Sequence, residues 1–209
     1  MTILLYVLWT TALAAYLGAA GLVPLYLRDG RANLIGGMQR LTVIGAILLG
    51  TTVVLRGLYL SGFPVASAGD SINLLLLLST LVALYVIQRD KVPGMFCFIA
   101  PVLALLGATV LVFNAGYLRT EGGEPLNQLF LMIHVGLAFL AYAMFVVASV
   151  TSIAYVFQAR NLKRANITGL FQKLPSLEQL DGSLYRLIRM GYVLFAITVS
   201  YTHLTLPTN

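Results

Sequence analysis

Six apolar windows follow one another along the chain, and their lengths limit what it can fold into. A transmembrane helix needs about 20 consecutive, mostly apolar residues. The windows cover residues 3–27, 41–60, 71–87, 92–113, 129–157 and 184 onward. Because every backbone polar group in lipid must be paired within its own segment, each window predicts a helix. We therefore predict an all-α, polytopic membrane protein with about six transmembrane helices and no separate water-soluble domain.

The scarcity of charge supports the same class. Only 10% of the residues are charged and 59% are apolar, whereas an average soluble domain is about 25% charged. The net charge of +6 does not predict a nucleic-acid partner, because the basic residues form short clusters between the windows. The single cysteine, Cys97, lies inside a window, which favours a packing role and excludes a disulfide framework.

The distribution of basic residues predicts the orientation. Eleven of the thirteen Lys and Arg residues lie in or beside the first, third and fifth connections. By the positive-inside rule these connections are cytoplasmic and the N-terminus is outside. The N-terminal segment lacks a basic region and a cleavage site, so we interpret it as the first span. Residues 170–188, in the fifth connection, predict an amphipathic segment at the membrane surface.

His134 is the first candidate site residue. It lies near the predicted outer end of the fifth window, and an ionisable residue at membrane depth suggests function. A neutral imidazole is a good axial ligand for haem iron. Helical periodicity places five further residues on the face of His134: Ala138, Ala141, Phe145, Ser149 and Ser152. The small and hydroxyl residues among them suit close helix packing. The alternative is an interfacial histidine that hydrogen-bonds a neighbouring carbonyl group.

Arg56 is the second candidate. It lies at the outer end of the second window, before the turn-rich loop 62–71. It could bind an anionic group such as a haem propionate, or simply extend its charge to the lipid headgroups. The loop ends at Asp70 and Ser71, either of which could cap the following helix. We find no phosphate-binding loop, no carboxylate pair within a span and no metal-ligand spacing, so the sequence predicts no catalytic residue.

Three blocks of residues form a pattern over about 56–199. The first is Arg56 with Ser61-Gly-Phe-Pro64 and Asp70-Ser71. The second is His134-Val with Ala141-Tyr-Ala143. The third comprises Leu174-Pro-Ser-Leu-Glu178-Gln-Leu-Asp181, Tyr185-Arg186-x-Ile188 and Gly191-Tyr192. Together they resemble the cytochrome c assembly family of membrane proteins, which includes haem-handling proteins of the CcsA/ResC type and HemX-like proteins.

The resemblance implies a membrane component of cytochrome c biogenesis in the bacterial plasma membrane. Such a protein would bind haem b, with His134 as an iron ligand on the outer, periplasmic side and Arg56 as the propionate partner. It would act with a CcsB/ResB-type membrane partner and present haem to apocytochrome c, as part of a haem–cytochrome c ligation system. The alternative is a HemX-like regulatory or scaffold protein that binds no haem. An unrelated transporter subunit is disfavoured, because we see no charge deep in the spans and no repeated broken helices.

The Trp-rich loop of CcsA-type proteins has no counterpart in this sequence, whose single tryptophan is Trp9. In CcsA-type proteins that loop follows the span that begins with the Tyr-Arg block, so its counterpart would lie just beyond residue 200. The sixth window has about eleven strongly apolar residues before an uncharged, Thr-rich ending. We therefore expect residues 1–199 to be the N-terminal part of a longer transmembrane domain and residues 200–209 to be a non-native tail. The alternative is that residues 201–206 complete the span.

Overall fold

The computed structural model describes residues 2–113, 129–163 and 174–205, and within them the chain is almost entirely α-helical. A 3-10 turn, Pro93–Met95, precedes the fourth helix. The helices are α1 (Thr2–Asp29), α2 (Ala32–Leu60), α3 (Ala68–Asp90), α4 (Phe96–Phe113), α5 (Leu129–Lys163) and α6 (Leu177–Thr205). The predicted all-α, polytopic fold is confirmed.

Five of these helical segments are long and apolar enough to cross a membrane. They are Ile3–Asp29, Ala32–Leu60, Ala68–Asp90, Pro93–Leu111 and Leu131–Lys163. The sixth window also forms a helix, but α6 is not among the five. It begins at Leu177, so part of the predicted surface segment and the sixth window form one helix. The orientation and the non-native tail remain predictions.

Several helices extend beyond the apolar windows that predicted them. The second window begins at Leu41, whereas α2 begins at Ala32. The fifth window ends at Phe157, whereas α5 continues to Lys163. Helical hydrogen bonding does not stop where side chains become polar, so apolarity locates the membrane-embedded part of a helix rather than its ends.

Small residues allow the helices to pack closely. α1 packs against α2 and α4, α3 packs against α4 and α5, and α5 packs against α6. Gly45 of α2 faces the ring of Tyr16, and a Cβ at Gly191 of α6 would lie only 2.8 Å from the ring of Phe145. In lipid, helix association depends on such van der Waals packing and on interhelical hydrogen bonds.

Two buried hydrogen bonds join α1 to α3. Trp9 Nε1 donates to Asn73 Oδ1 at 3.1 Å, and the hydroxyls of Tyr16 and Thr80 are 3.1 Å apart. Thr80 Oγ1 already donates to the carbonyl oxygen of Leu76, so the Tyr16 hydroxyl is the donor to Thr80. Both pairs are separated by the same 64 residues, which shows that α1 and α3 run in parallel.

Candidate functional site

One end of the bundle brings together both candidate residues. Because successive helices alternate in direction, α2 ends, α3 begins and α5 begins at this end. The loop between α2 and α3 lies beside the first turns of α5: Phe63 Cζ is 3.9 Å from the position that a Cβ at Gly136 would occupy. His134 lies two residues before Gly136. We call Arg56, loop 61–67, Asp70 and His134 the histidine end.

Arg56 and Asp70 form a buried ion pair at this end. Arg56 Nε donates to Asp70 Oδ1 at 3.1 Å, and the two side chains are 3% and 0% exposed. The guanidinium carbon also lies 5.9 Å from the ring centroid of Tyr59. An arginine that extended its charge to the headgroups would be exposed, so that alternative for Arg56 is wrong. The pair joins the end of α2 to the start of α3.

Asp70 has a second role as part of a capping box. The N-cap residue of α3 is Ser67, so the prediction of a cap at Asp70 or Ser71 was wrong by three or four residues. Ser67 Oγ accepts from the Asp70 backbone N–H at 3.1 Å, and Asp70 Oδ2 accepts from the Ser67 backbone N–H at 3.1 Å. The Ser-x-x-acid spacing is a recognised capping pattern, so the sequence carried the signal for this cap.

The turn that precedes the loop is also tightly bonded. Ser61, which ends α2, has a left-handed conformation with φ 52°. The backbone N–H of Gly62 donates to the carbonyl oxygen of Gly57 at 3.1 Å. These bonds satisfy carbonyl groups at the end of α2 that the helix leaves without partners. Together with the capping box, they hold the loop in a fixed position between two helix ends.

His134 lies in the second turn of α5 and is half-buried. It makes no hydrogen bond to another residue within the described parts of the chain. Further along the face predicted from helical periodicity, Ala141 is fully buried, and the Phe145 ring packs against Phe195 of α6 with centroids 6.3 Å apart. The predicted face therefore leads from His134 into the contact between α5 and α6.

This arrangement fits haem better at His134 than at Arg56. A half-buried imidazole without a hydrogen bond in the described chain retains a ring nitrogen for iron. A propionate at Arg56 would have to compete with Asp70, whose carboxylate already accepts the Nε–H. No group of three or more His, Cys, Asp or Glu residues is placed to bind a metal in the described chain. Of the two candidate residues, His134 has the type of side chain that could ligate haem iron if the group binds at this end.

A family model described as "Cytochrome C assembly protein" matches residues 67–201, which is more than half of the chain. The chain belongs to this family. The matched region contains His134 and Asp70 and begins after Arg56. The predicted family resemblance is thereby confirmed, and membership supports a role in cytochrome c biogenesis for a multi-pass membrane protein.

The comparisons leave the subgroup within the family open. The chain is 29% identical over 99 residues to a protein named "Protein HemX" from Brevibacillus brevis. That alignment covers 46% of this chain and 36% of the relative. No solved structure matches the chain. The choice between a CcsA-type and a HemX-like protein thus has to come from the chemistry of the histidine end.

Proposed function

We propose that the protein handles haem during cytochrome c assembly and presents it at the outer membrane face for attachment to apocytochrome c. The observation that carries this proposal is the position of His134. It lies inside the family-matched region, at a bundle end, half-buried, and without a hydrogen bond to other described residues. A neutral imidazole in that setting is suited to bind the iron of haem b as an axial ligand.

The residues around His134 hold it in position and take no part in a chemical step. The contact of Phe63 with the Gly136 region restricts where the start of α5 can lie. Further along the helix, close packing at Gly191 fixes α5 against α6 beside Phe145. The buried pair of Arg56 and Asp70 fixes the neighbouring loop. Arg56 as a propionate partner remains a second proposal, and it requires that the propionate compete with Asp70. The haem vinyl groups and the apocytochrome thiols would supply the thioether chemistry.

The location and the partners that we propose are those that the family resemblance implies. We propose that the protein lies in the bacterial plasma membrane with His134 on the periplasmic side. There it would act with a CcsB/ResB-type membrane partner and with apocytochrome c. The five segments suited to cross a membrane support the lipid location, and the clusters of basic residues support the orientation.

A second candidate is a HemX-like regulatory or scaffold protein that binds no haem. Two observations favour it: the similar protein from Brevibacillus brevis is named "Protein HemX", and Arg56 is already bound to a carboxylate. In this role the protein would act by contact with a partner. His134 would then have only a structural role and would tolerate replacement by asparagine or glutamine.

Cytochrome c maturation in cells tests the proposed function. A strain without the chromosomal gene is complemented with the native gene, with the variant His134→Ala or with the control Tyr192→Phe, whose ring is exposed. Covalently bound haem is measured in the c-type cytochromes. We expect Tyr192→Phe to restore maturation and His134→Ala to reduce it at least about tenfold at equal protein level, the size of a lost metal-site interaction. Full maturation with His134→Ala would favour the second candidate.

A further inference from the structure

A groove opens between α3, α5 and α6 at the end of the bundle opposite the histidine end. Its volume is about 220 Å³. Its walls are largely apolar and include Leu81 and Val82 of α3, Met144 of α5 and Leu187 of α6. Its polar rim is formed by three charged residues, Arg89, Asp90 and Arg186. The groove thus has one charged end and one apolar interior.

The charges at the rim do not cancel. Asp90 Oδ2 lies 2.6 Å from Arg186 Nη2 and accepts from Ser183 Oγ at 2.5 Å, so the carboxylate is already engaged by α6. Arg89 Nη1 donates to the neutral hydroxyl of Tyr85 at 2.8 Å, an interaction that does not neutralise its charge. With two guanidinium groups and one carboxylate, the rim has a net positive charge that an anion would complement.

The positions of Arg89 and Leu81 along α3 show how the charged rim and the apolar wall lie relative to the bilayer. Arg89 lies one residue from the end of α3, a segment suited to cross the membrane. Leu81 lies eight residues earlier, about 12 Å along the helix axis at 1.5 Å per residue. Leu81 and Tyr85 are 49% and 53% exposed, so the described bundle leaves this side open. The positive rim therefore lies at headgroup depth, and the apolar wall extends into the hydrocarbon.

We propose that this groove binds an anionic phospholipid, with its phosphate at Arg89 and Arg186 and one acyl chain along Leu81, Val82 and Met144. Basic pockets between transmembrane helices are known to favour anionic headgroups, and arginine forms charge-assisted hydrogen bonds with phosphate oxygens. A zwitterionic lipid would bring an ammonium group close to the positive rim. The proposal is independent of haem and of His134.

Native mass spectrometry of the purified full chain tests the proposal. The protein is released from mixed micelles that contain phosphatidylglycerol or phosphatidylcholine with identical acyl chains, and retained lipid is measured. Two variants address the two parts of the groove: Arg89→Gln removes charge at the rim, and Leu81→Trp fills the apolar wall. The matched control is Arg189→Gln, which removes an exposed arginine that lies over the Tyr185 ring at 5.7 Å and does not line the groove.

We expect phosphatidylglycerol to be retained in preference to phosphatidylcholine. Arg89→Gln should weaken its binding about fivefold, the effect of one basic residue near an anionic headgroup. Leu81→Trp should also weaken it, and Arg189→Gln should weaken it clearly less than Arg89→Gln does, because Arg189 does not line the groove. All three positions are exposed, so the variants should keep the parent's elution volume and helical circular dichroism.

Three results would overturn the proposal. One is equal retention of the two lipids. Another is displacement of phosphatidylglycerol by millimolar inorganic phosphate, which would show that an anion alone suffices. The third is a dimer of the chain that Leu81→Trp dissociates, which would show that a second copy covers the groove.

Discussion

Removal of the negative charge from Asp70 should destabilise the protein strongly. Asp70→Asn keeps the size of the side chain and an oxygen that can accept from Ser67, but it leaves the Arg56 guanidinium buried without its carboxylate. The two side chains are 0% and 3% exposed, so water can compensate little for the lost charge. Breaking a buried pair from one side costs about 3–5 kcal/mol. For a chain of 209 residues, that corresponds to a fall in Tm of roughly 6–20 °C.

The assay is thermal unfolding in detergent, followed by circular dichroism and by fluorescence of Trp9, the single tryptophan. Trp9 donates to Asn73, one turn from Asp70 on α3, so its emission reports on this part of the bundle. The double variant Arg56→Met with Asp70→Asn removes both charges and should recover at least about 2 kcal/mol relative to the sum of the single changes. A Tm within about 2 °C of the parent for Asp70→Asn, or strict additivity in the double variant, would refute the reasoning.

Three further changes test the packing and the cap by the shift in unfolding midpoint. Gly191→Leu should cost about 1–3 kcal/mol, because its Cβ would lie 2.8 Å from Phe145. Gly36→Leu, where a Cβ meets nothing within 4 Å, is the control, and equal effects would contradict the packing account. Trp9→Phe should cost about 0.5–1.5 kcal/mol by loss of a buried hydrogen bond, and an unchanged midpoint by circular dichroism would count against that bond. Ser67→Ala should cost about 0.5–2 kcal/mol, whereas Ser67→Thr should restore most of it; failure of this rescue would argue against the cap.

The sequence predicted the helices well because lipid leaves few alternatives. Long apolar windows must be helical when no water can satisfy the backbone, and each of the six windows corresponds to a helix or most of one. The boundaries were less accurate. α2 begins nine residues before its window because its first residues include polar side chains such as Gln39 and Arg40, which lower the apolarity without interrupting the helix.

The partners of polar residues were harder to predict. Arg56 was predicted either to bind an anionic group such as a haem propionate or to extend to the headgroups, yet it is 2% exposed because Asp70, fourteen residues later, supplies a buried counter-charge. The link between Asp90 and Arg186 was not predicted either, because the two residues lie 96 positions apart on α3 and α6. Hydropathy places residues along the membrane normal but does not indicate which helices are neighbours, so such pairs require the tertiary structure.

The position of His134 at the end of the fifth helix was predicted from the sequence, whereas its surroundings were not. Helical periodicity placed Ala141 and Phe145 on its face, and the structure shows that this face leads into the contact with α6. The approach of Phe63 to the Gly136 region could not be read from either segment alone. It depends on where the loop between α2 and α3 is held.

Haem titration of the purified full chain tests the central claim that His134 ligates haem iron. Binding is followed in the Soret region for the native protein, for His134→Gly and for His134→Gly with added imidazole. We expect a six-coordinate or five-coordinate histidine-type spectrum for the native protein, its loss in His134→Gly, and its return with millimolar imidazole. An unchanged spectrum and affinity in His134→Gly would contradict the account and assign the iron to another ligand, and no binding by the native protein would favour the haem-independent, HemX-like role.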